Sequence, residues 1–410
     1  MKTNKVINYF ILYLLIAVTG MVYYTKFKQF IVLGFLLSLI IFIIKKEKFD
    51  KYFFTLLLII TFVHLGQFIF TKLFTLQTYI GLYIRIGFAY FVIKILKEKF
   101  FSYYVNILFF FSIISLIIWT LCFIPGLPEY CINNLCIPPL FHYETNYLYS
   151  IGPNIIIYNF GSFDEVDYFI GFLNRNCGPF WEGGAFGGFL VLAIIFNTIT
   201  EAKFLNKKNI IFIISLISTF SVTAYIALLI LILGKLLYEK KKYILLLPIA
   251  LSVSLYLFFN LNFMKNKIEN DINTEAESGR VASRSLSAQL DFQTFLKNPI
   301  FGIGRNEAAE FDDLNDLETM HRNNGLSLFL KDYGIFIFFF YFYFIYRGLK
   351  AYCIINNFDV KFSLVAIFCI ILIGYSETYY MRNYFIALPI YFFFLKNNLF
   401  YKQVALEKLK

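Results

Sequence analysis

Charged residues make up only 15% of this 410-residue chain, against 59% hydrophobic residues, and the mean hydropathy is +0.68. A soluble globular domain carries about 25% charged residues, so the polar surface of such a fold is missing and a bilayer is the expected solvent. Histidine is scarcer still, with His64, His142 and His321 alone, and neither they nor the six cysteines show metal-ligand spacing. No metal and no cofactor are therefore expected. Gly302-Ile303-Gly304 follows no strand-like run, so it is not a nucleotide-binding signature. No internal repeat is visible, which argues against a transporter built from two related halves. No soluble domain is appended, as a sensor or structural membrane protein would usually have. No small-residue cleavage site follows Met1–Lys5, so the first apolar run is expected to stay as a helix.

What the chain has instead is a series of apolar runs separated by lysines. Crossing about 30 Å of hydrocarbon takes roughly 20 helical residues. Runs near that length fall at 7–24, 29–44, 52–71, 74–95, 101–124, 181–199, 209–221, 222–238, 243–260, 325–346, 362–377 and 383–396. The expected fold is all-α: a polytopic transmembrane bundle of about twelve spans, forming one integral membrane domain over 1–410. With a cytoplasmic N-terminus, 23 of the 37 basic residues lie in inner segments, and the short outer loops hold only Lys26, Lys28, Lys72 and Arg382. The positive-inside rule favours that orientation, with both termini cytoplasmic. The net charge of +11 is then mostly topology, and no nucleic-acid partner is implied. The 54 Phe and 31 Tyr read as packing and lipid-facing residues.

Two outer segments are long, 125–180 and 261–324, and are expected to contain short helices. Insertion does not require such loops, so their content points to function. The first is acidic (Glu129, Glu144, Asp164, Glu165, Asp167) until Arg175, and an oxidising compartment would permit a Cys131–Cys136 bridge in it. It ends on Arg175-Asn-Cys-Gly-Pro-Phe-Trp-Glu182-Gly-Gly-Ala-Phe-Gly-Gly188. Pro179 suits a first helical turn, with Glu182 about one turn in and Gly183/Gly187 and Gly184/Gly188 allowing a close helix neighbour. Helix packing alone would account for the glycines, and an interfacial cap for Glu182.

The second long segment carries seven basic residues. On a helix ending before Pro299, Arg280, Arg284, Ser287, Asp291 and Thr294 form one stripe, opposite Val281, Ala288, Phe292, Phe295 and Leu296. Arg280 and Arg284 repel at i, i+4 unless an anion lies between them, and guanidinium forks match phosphate oxygens. The plainer reading is a surface helix with its arginines on water or head groups. His321, just before the tenth span, has the pKa range of a general base but could equally be a head-group histidine. Arg85, mid-span, should face the bundle interior or snorkel.

The order of these motifs resembles the bacterial O-antigen polymerase (Wzy-type) and O-antigen ligase superfamily. The elements are Arg175-x-x-Gly-x-Phe-x-Glu182, then Asn298-Pro-x-x-Gly-x-Gly304, then His321-x-Asn-Asn-Gly-Leu running to Gly334-Ile335. By resemblance, Arg280 corresponds to the pyrophosphate-binding arginine of the large loop and His321 to the histidine before the next span. The resemblance implies undecaprenyl-pyrophosphate-linked oligosaccharides as donor and acceptor, held by Arg280 and Arg284 with Arg175, Arg305 and Arg322 as further candidates. His321 or Glu182 would take the acceptor proton, with His321 preferred because Glu182 could instead orient sugar hydroxyls or pair with Arg175. Membrane lipid, a chain-length regulator and a flippase are the implied partners. Two departures, Ser221-Val222-Thr223 where ligases tend to show Ser-Arg and Arg322 after His321, favour a polymerase over a ligase. A lipid-linked-sugar flippase is the more distant alternative.

Overall fold

The computed structural model describes residues 5–25, 27–72, 76–137, 153–161, 174–239, 284–305 and 324–407. Among them the regular structure is helical, with no strand beyond the isolated bridges Met21–Phe180 and Asn154–Asn159. The N-terminal part comprises α1 (Lys5–Gly20), α2 (Val22–Thr25), α3 (Lys28–Ile44), α4 (Lys51–Thr71), α5 (Leu76–Leu96), α6 (Phe100–Leu121) and α7 (Leu127–Asn134). The rest comprises α8 (Gly183–Glu201), α9 (Lys207–Ser218), α10 (Val222–Glu239), α11 (Arg284–Lys297), α12 (Gly325–Ile355), α13 (Phe362–Ser376) and α14 (Asn383–Glu407). α7 falls in the first long segment and α11 in the second. The expected span at 243–260 lies outside the described residues.

Among the described residues, four helical stretches are long and apolar enough to cross a membrane: α4, Leu76–Leu121, α8 and α12. Leu76–Leu121 contains two helices, α5 and α6, broken by a short 3-10 turn at Lys97–Lys99 where Lys97 is left-handed (φ 54). Five shorter apolar stretches among the described residues, of 10 to 17 residues, are α1, α3, Val222–Leu236 in α10, α13 and Asn383–Leu395 in α14. With 12 residues, α9 rises about 18 Å and so cannot cross the hydrocarbon alone. The outer surface is apolar, with Leu58 70%, Phe62 65% and Phe339 63% exposed, while Ser112, Ser215, Asn197 and Asn209 are buried. That inversion is what a lipid solvent selects. α8 is the central helix: 89% of its apolar window is buried, against 28% for α4.

Two ends of the bundle can be told apart. At one, Lys45 donates to Asn8 and to the Ile95 carbonyl, Lys208 to Asn106, and Lys94 pairs with Asp50 at 3.5 Å. This gathers the lysine-bearing ends of α3, α5 and α9 with the N-terminal ends of α1 and α6. At the other end, the Val22 amide donates to Pro179, Trp119 to Asn174, the Asn176 amide to Ser218, and Arg382 to Thr19. The lysine punctuation of the sequence thus marks a real structural end. Capping follows local chemistry: Asp50, Asn206 and Asn324 accept backbone N–H groups at the starts of α4, α9 and α12.

α12 is not continuous. Gly334 sits at φ 73, ψ 175, a region essentially confined to glycine, and breaks the helix in its N-terminal third. The Asn298–Gly304 loop fills the break. Ile303 and Gly304 amides donate to the Lys331 and Asp332 carbonyls, and the Ile335 amide donates to Pro299. Gln67 of α4 adds bonds to the Phe301 and Asp332 carbonyls, each 2.8 Å. Irregular backbone inside a membrane bundle needs this kind of internal satisfaction. Gly302-Ile-Gly304 is therefore a clip that holds the second long segment to α4 and α12. At Gly302 (φ 71) an added Cβ would lie 2.5 Å from Asp332 backbone atoms. Gly302→Ala should accordingly destabilise the chain by about 1–3 kcal/mol, seen as a lowered thermal midpoint in detergent; an unchanged midpoint would contradict the clip.

None of the six cysteines is in a disulfide, and the permitted bridge between Cys131 and Cys136 is not formed.

Candidate functional site

The centre of the candidate site is where α8 begins. Its first turn was expected to contain Pro179 and to place Glu182 inside the helix. The helix instead starts at Gly183, and Glu182 holds the extended N-cap conformation (φ −157, ψ 168) with no capping hydrogen bond from its side chain. Pro179 lies in the preceding turn, bound to α2 through Val22. Freed from capping, the Glu182 carboxyl meets that of Glu377, the first residue of the short turn between α13 and α14, and the two share a side-chain hydrogen bond.

Glycines make this meeting possible. An added Cβ on Gly184 would stand 2.8 Å from Glu377 Oε1 and 3.3 Å from Glu182 Oε1. Gly325, opening α12, abuts the Glu377 carbonyl. Gly183 and Gly187 face Thr219 and Ala224 on the α9–α10 side, and Gly188 faces Tyr379. The two small-residue pairs thus serve different neighbours: Gly183 and Gly187 admit the α9–α10 side, while Gly184 makes room for the carboxyl pair and Gly188 for Tyr379.

Glu377 is 6% exposed. Trp181 Nε1 donates to its Oε2 at 3.2 Å, and Arg382, at the far end of the same turn, lies over the Trp181 ring at 4.2 Å. Arg382 also donates to the Thr19 and Thr378 carbonyls. Burial, then the charge and hydrogen bond of Glu182, hold the Glu377 carboxyl well above the usual carboxylate range, while Arg284 pulls the other way. Burial lowers the Arg382 guanidinium to about 10, so it stays charged at neutral pH.

The candidate residues divide as follows. Glu182 is in the site. Arg284 opens the described part of α11, donates Nε to the Ser376 carbonyl at 3.3 Å, and is held in turn by Asn324 on its own carbonyl. Its charge reaches Glu377. Arg305 is exposed just beyond the clip, close enough to repel both Arg85 and Arg382. Arg175 has another role: Nε and Nη2 donate to Thr219 and Phe220 carbonyls, finishing the C-terminal end of α9 where a cation is favoured. His321, Arg280 and Arg322 lie outside the described residues. Arg85 faces inward, donating to the Met381 carbonyl at 3.3 Å.

Glu377, Trp181 and Arg382 were not singled out in the sequence. The available signal was an acid and an arginine within six residues, Glu377 to Arg382, between two apolar helices. Among the described residues no cluster of His, Cys, Asp and Glu could hold a metal ion. No protein-family model, curated protein or solved structure matches this chain.

Proposed function

We propose that this chain polymerises undecaprenyl-pyrophosphate-linked oligosaccharide repeat units into O-antigen or capsular polysaccharide, as an inverting glycosyltransferase that needs no metal. In this reading it is a bundle of about twelve spans in the bacterial inner membrane, with both termini cytoplasmic and the carboxyl pair at the periplasmic face. One observation carries the reading: guanidinium groups from separate elements surround two touching carboxyls at the end opposite the lysines. Arg284 and Arg382 act on Glu377, and Arg305 and Arg85 lie beyond them. Cations that repel one another, set beside an acid that can take a proton, suit a pyrophosphate leaving group and a sugar hydroxyl nucleophile.

The step balances without a cofactor. The acceptor hydroxyl oxygen bonds to the anomeric carbon as the bond to pyrophosphate breaks. The electron pair leaves with undecaprenyl pyrophosphate, and the hydroxyl proton passes to Glu182 or to His321. Polymerase is preferred to ligase on the motifs, Ser221-Val222-Thr223 and His321-Arg322. The test is a deletion in a Gram-negative host. A ladder collapsing to core plus one repeat supports a polymerase; bare core with polymer stranded on the lipid carrier identifies a ligase instead.

Orientation has its own check. Reporter fusions after Lys242 and Lys361 should report cytoplasm, and fusions near Glu144 and Glu275 the periplasm. A cytoplasmic signal from either long loop would put the arginines on the wrong side for a periplasmic donor.

A further inference from the structure

Within the reading above, the base is either of two residues, and nothing yet distinguishes a carboxyl that is ready to accept a proton from one that is not. Glu182 and Glu377 converge over Gly184, the one kind of residue whose missing side chain leaves them room. Glu377 is the enclosed member, 6% exposed, and Glu182 the half-exposed one. The polar and charged groups around Glu377 come from several elements, while α8 and α12 meet it through Gly184 and Gly325. Trp181 donates to its Oε2, Arg284 comes from α11, and Tyr379 and Arg382 from its own turn.

We propose that Glu182 and Glu377 hold one proton between them, with Glu377 as a positioning residue that donates it and so keeps Glu182, the less buried of the two, ionised and fixed in place. The reasoning is geometric first. Two carboxylates in hydrogen-bond contact cannot both be ionised without strong repulsion, and a proton between them turns that repulsion into a short, directional bond. The proton belongs on the member that water reaches least, because the charged form loses most there. Arg284 and the indole N–H favour the ionised form of Glu377, but they are outweighed by its burial and by the neighbouring Glu182 carboxylate. Burial raising the Glu377 pKa agrees with this placement. The asymmetry has a chemical result: one carboxyl supplies the hydrogen bond, and the other, ionised, can accept a proton from a substrate hydroxyl.

This proposal rests on the polymerase reading only for its consequence in catalysis, and the two can fail separately. Infrared difference spectra of the purified full chain at pH 7, with and without hydrogen–deuterium exchange, should contain a protonated-carboxyl band. That band should be lost in Glu377→Gln, and in Glu182→Gln it should persist but shift, since its acceptor becomes an amide. A native spectrum with no band removed by Glu377→Gln would overturn the shared proton, whatever the protein's activity. Where polymerisation is measurable, the native rate should fall about tenfold per pH unit once the pair loses its last proton. In Glu377→Gln, whose amide donates at every pH, that alkaline fall should vanish. Parallel profiles in the two proteins would overturn the positioning role. A native protein with the band but no polymerising activity would refute the polymerase reading and leave the carboxyl pair standing.

Discussion

Replacing Lys331 with methionine is expected to destabilise the folded chain by about 3–5 kcal/mol, the range for removing one partner from a buried ion pair. Lys331 is 1% exposed, with Nζ 3.6 Å from Asp332 Oδ1 and 4.0 Å from Asp291 Oδ1. Asp291 is itself fully buried and accepts from Ser327 Oγ at 2.6 Å. The substitution would remove the cation shared by two enclosed carboxylates at the point where α11, the clip loop and the broken α12 meet. Reversible unfolding in detergent would measure it. Adding Asp291→Asn to Lys331→Met should recover part of the loss, because one carboxylate fewer is then left in the interior. A Lys331→Met protein as stable as the native chain would show that the cluster contributes nothing.

That cluster also shows how far the sequence could be read. The helical period put Arg284, Ser287, Asp291 and Thr294 on one stripe of α11 and Ala288, Phe292, Phe295 and Leu296 on the opposite side; the structure keeps Phe292 and Leu296 there, but buries Phe295 beside Asp291 and Thr294. Which side faces inward depends on the solvent. Ser287, Asp291 and Thr294 are buried against α12, while Phe292 and Leu296 are 51% and 59% exposed. A water-facing helix would reverse this, so the stripe was legible but its direction required knowing that the surroundings are apolar. The same limit applied to Arg175, whose motif suggested a ligand and whose guanidinium finishes α9. A helix end 44 residues away leaves no mark in local spacing.

Hydrophobic runs and lysine punctuation, by contrast, are local signals, and most helices fall where they were expected. The break at Gly334 was not expected: its cause is the docked Asn298–Gly304 loop, and a single glycine in an apolar run reads as ordinary helix. The partner of Glu182 was hidden for a related reason. The contact between Trp181 and Glu377 spans 196 positions, and only the fold reveals that Gly184 leaves room for the two carboxyls to meet.

Glu182→Gln is expected to lower the polymerisation rate by about 100- to 10,000-fold, the usual range for loss of a general base, with little change in stability. The stability half of the expectation comes from position. Glu182 makes no capping bond to α8, it is half-exposed, and glutamine preserves its length and its ability to accept from Glu377. The activity half comes from chemistry, because an amide oxygen cannot take the hydroxyl proton as the new glycosidic bond forms. Rates measured with lipid-linked repeat units, alongside a thermal midpoint for the same preparation, separate the two. A folded Glu182→Gln protein with a near-native rate would move the base to His321, and His321→Ala should then show the large loss instead. Arg284→Ala is the informative companion. Arg284 donates to the Ser376 carbonyl and faces Glu377, so its loss should weaken donor binding and also raise the proton affinity of the pair. A rise in KM with a shifted pH profile is the expected signature, where Glu182→Gln should mainly lower kcat.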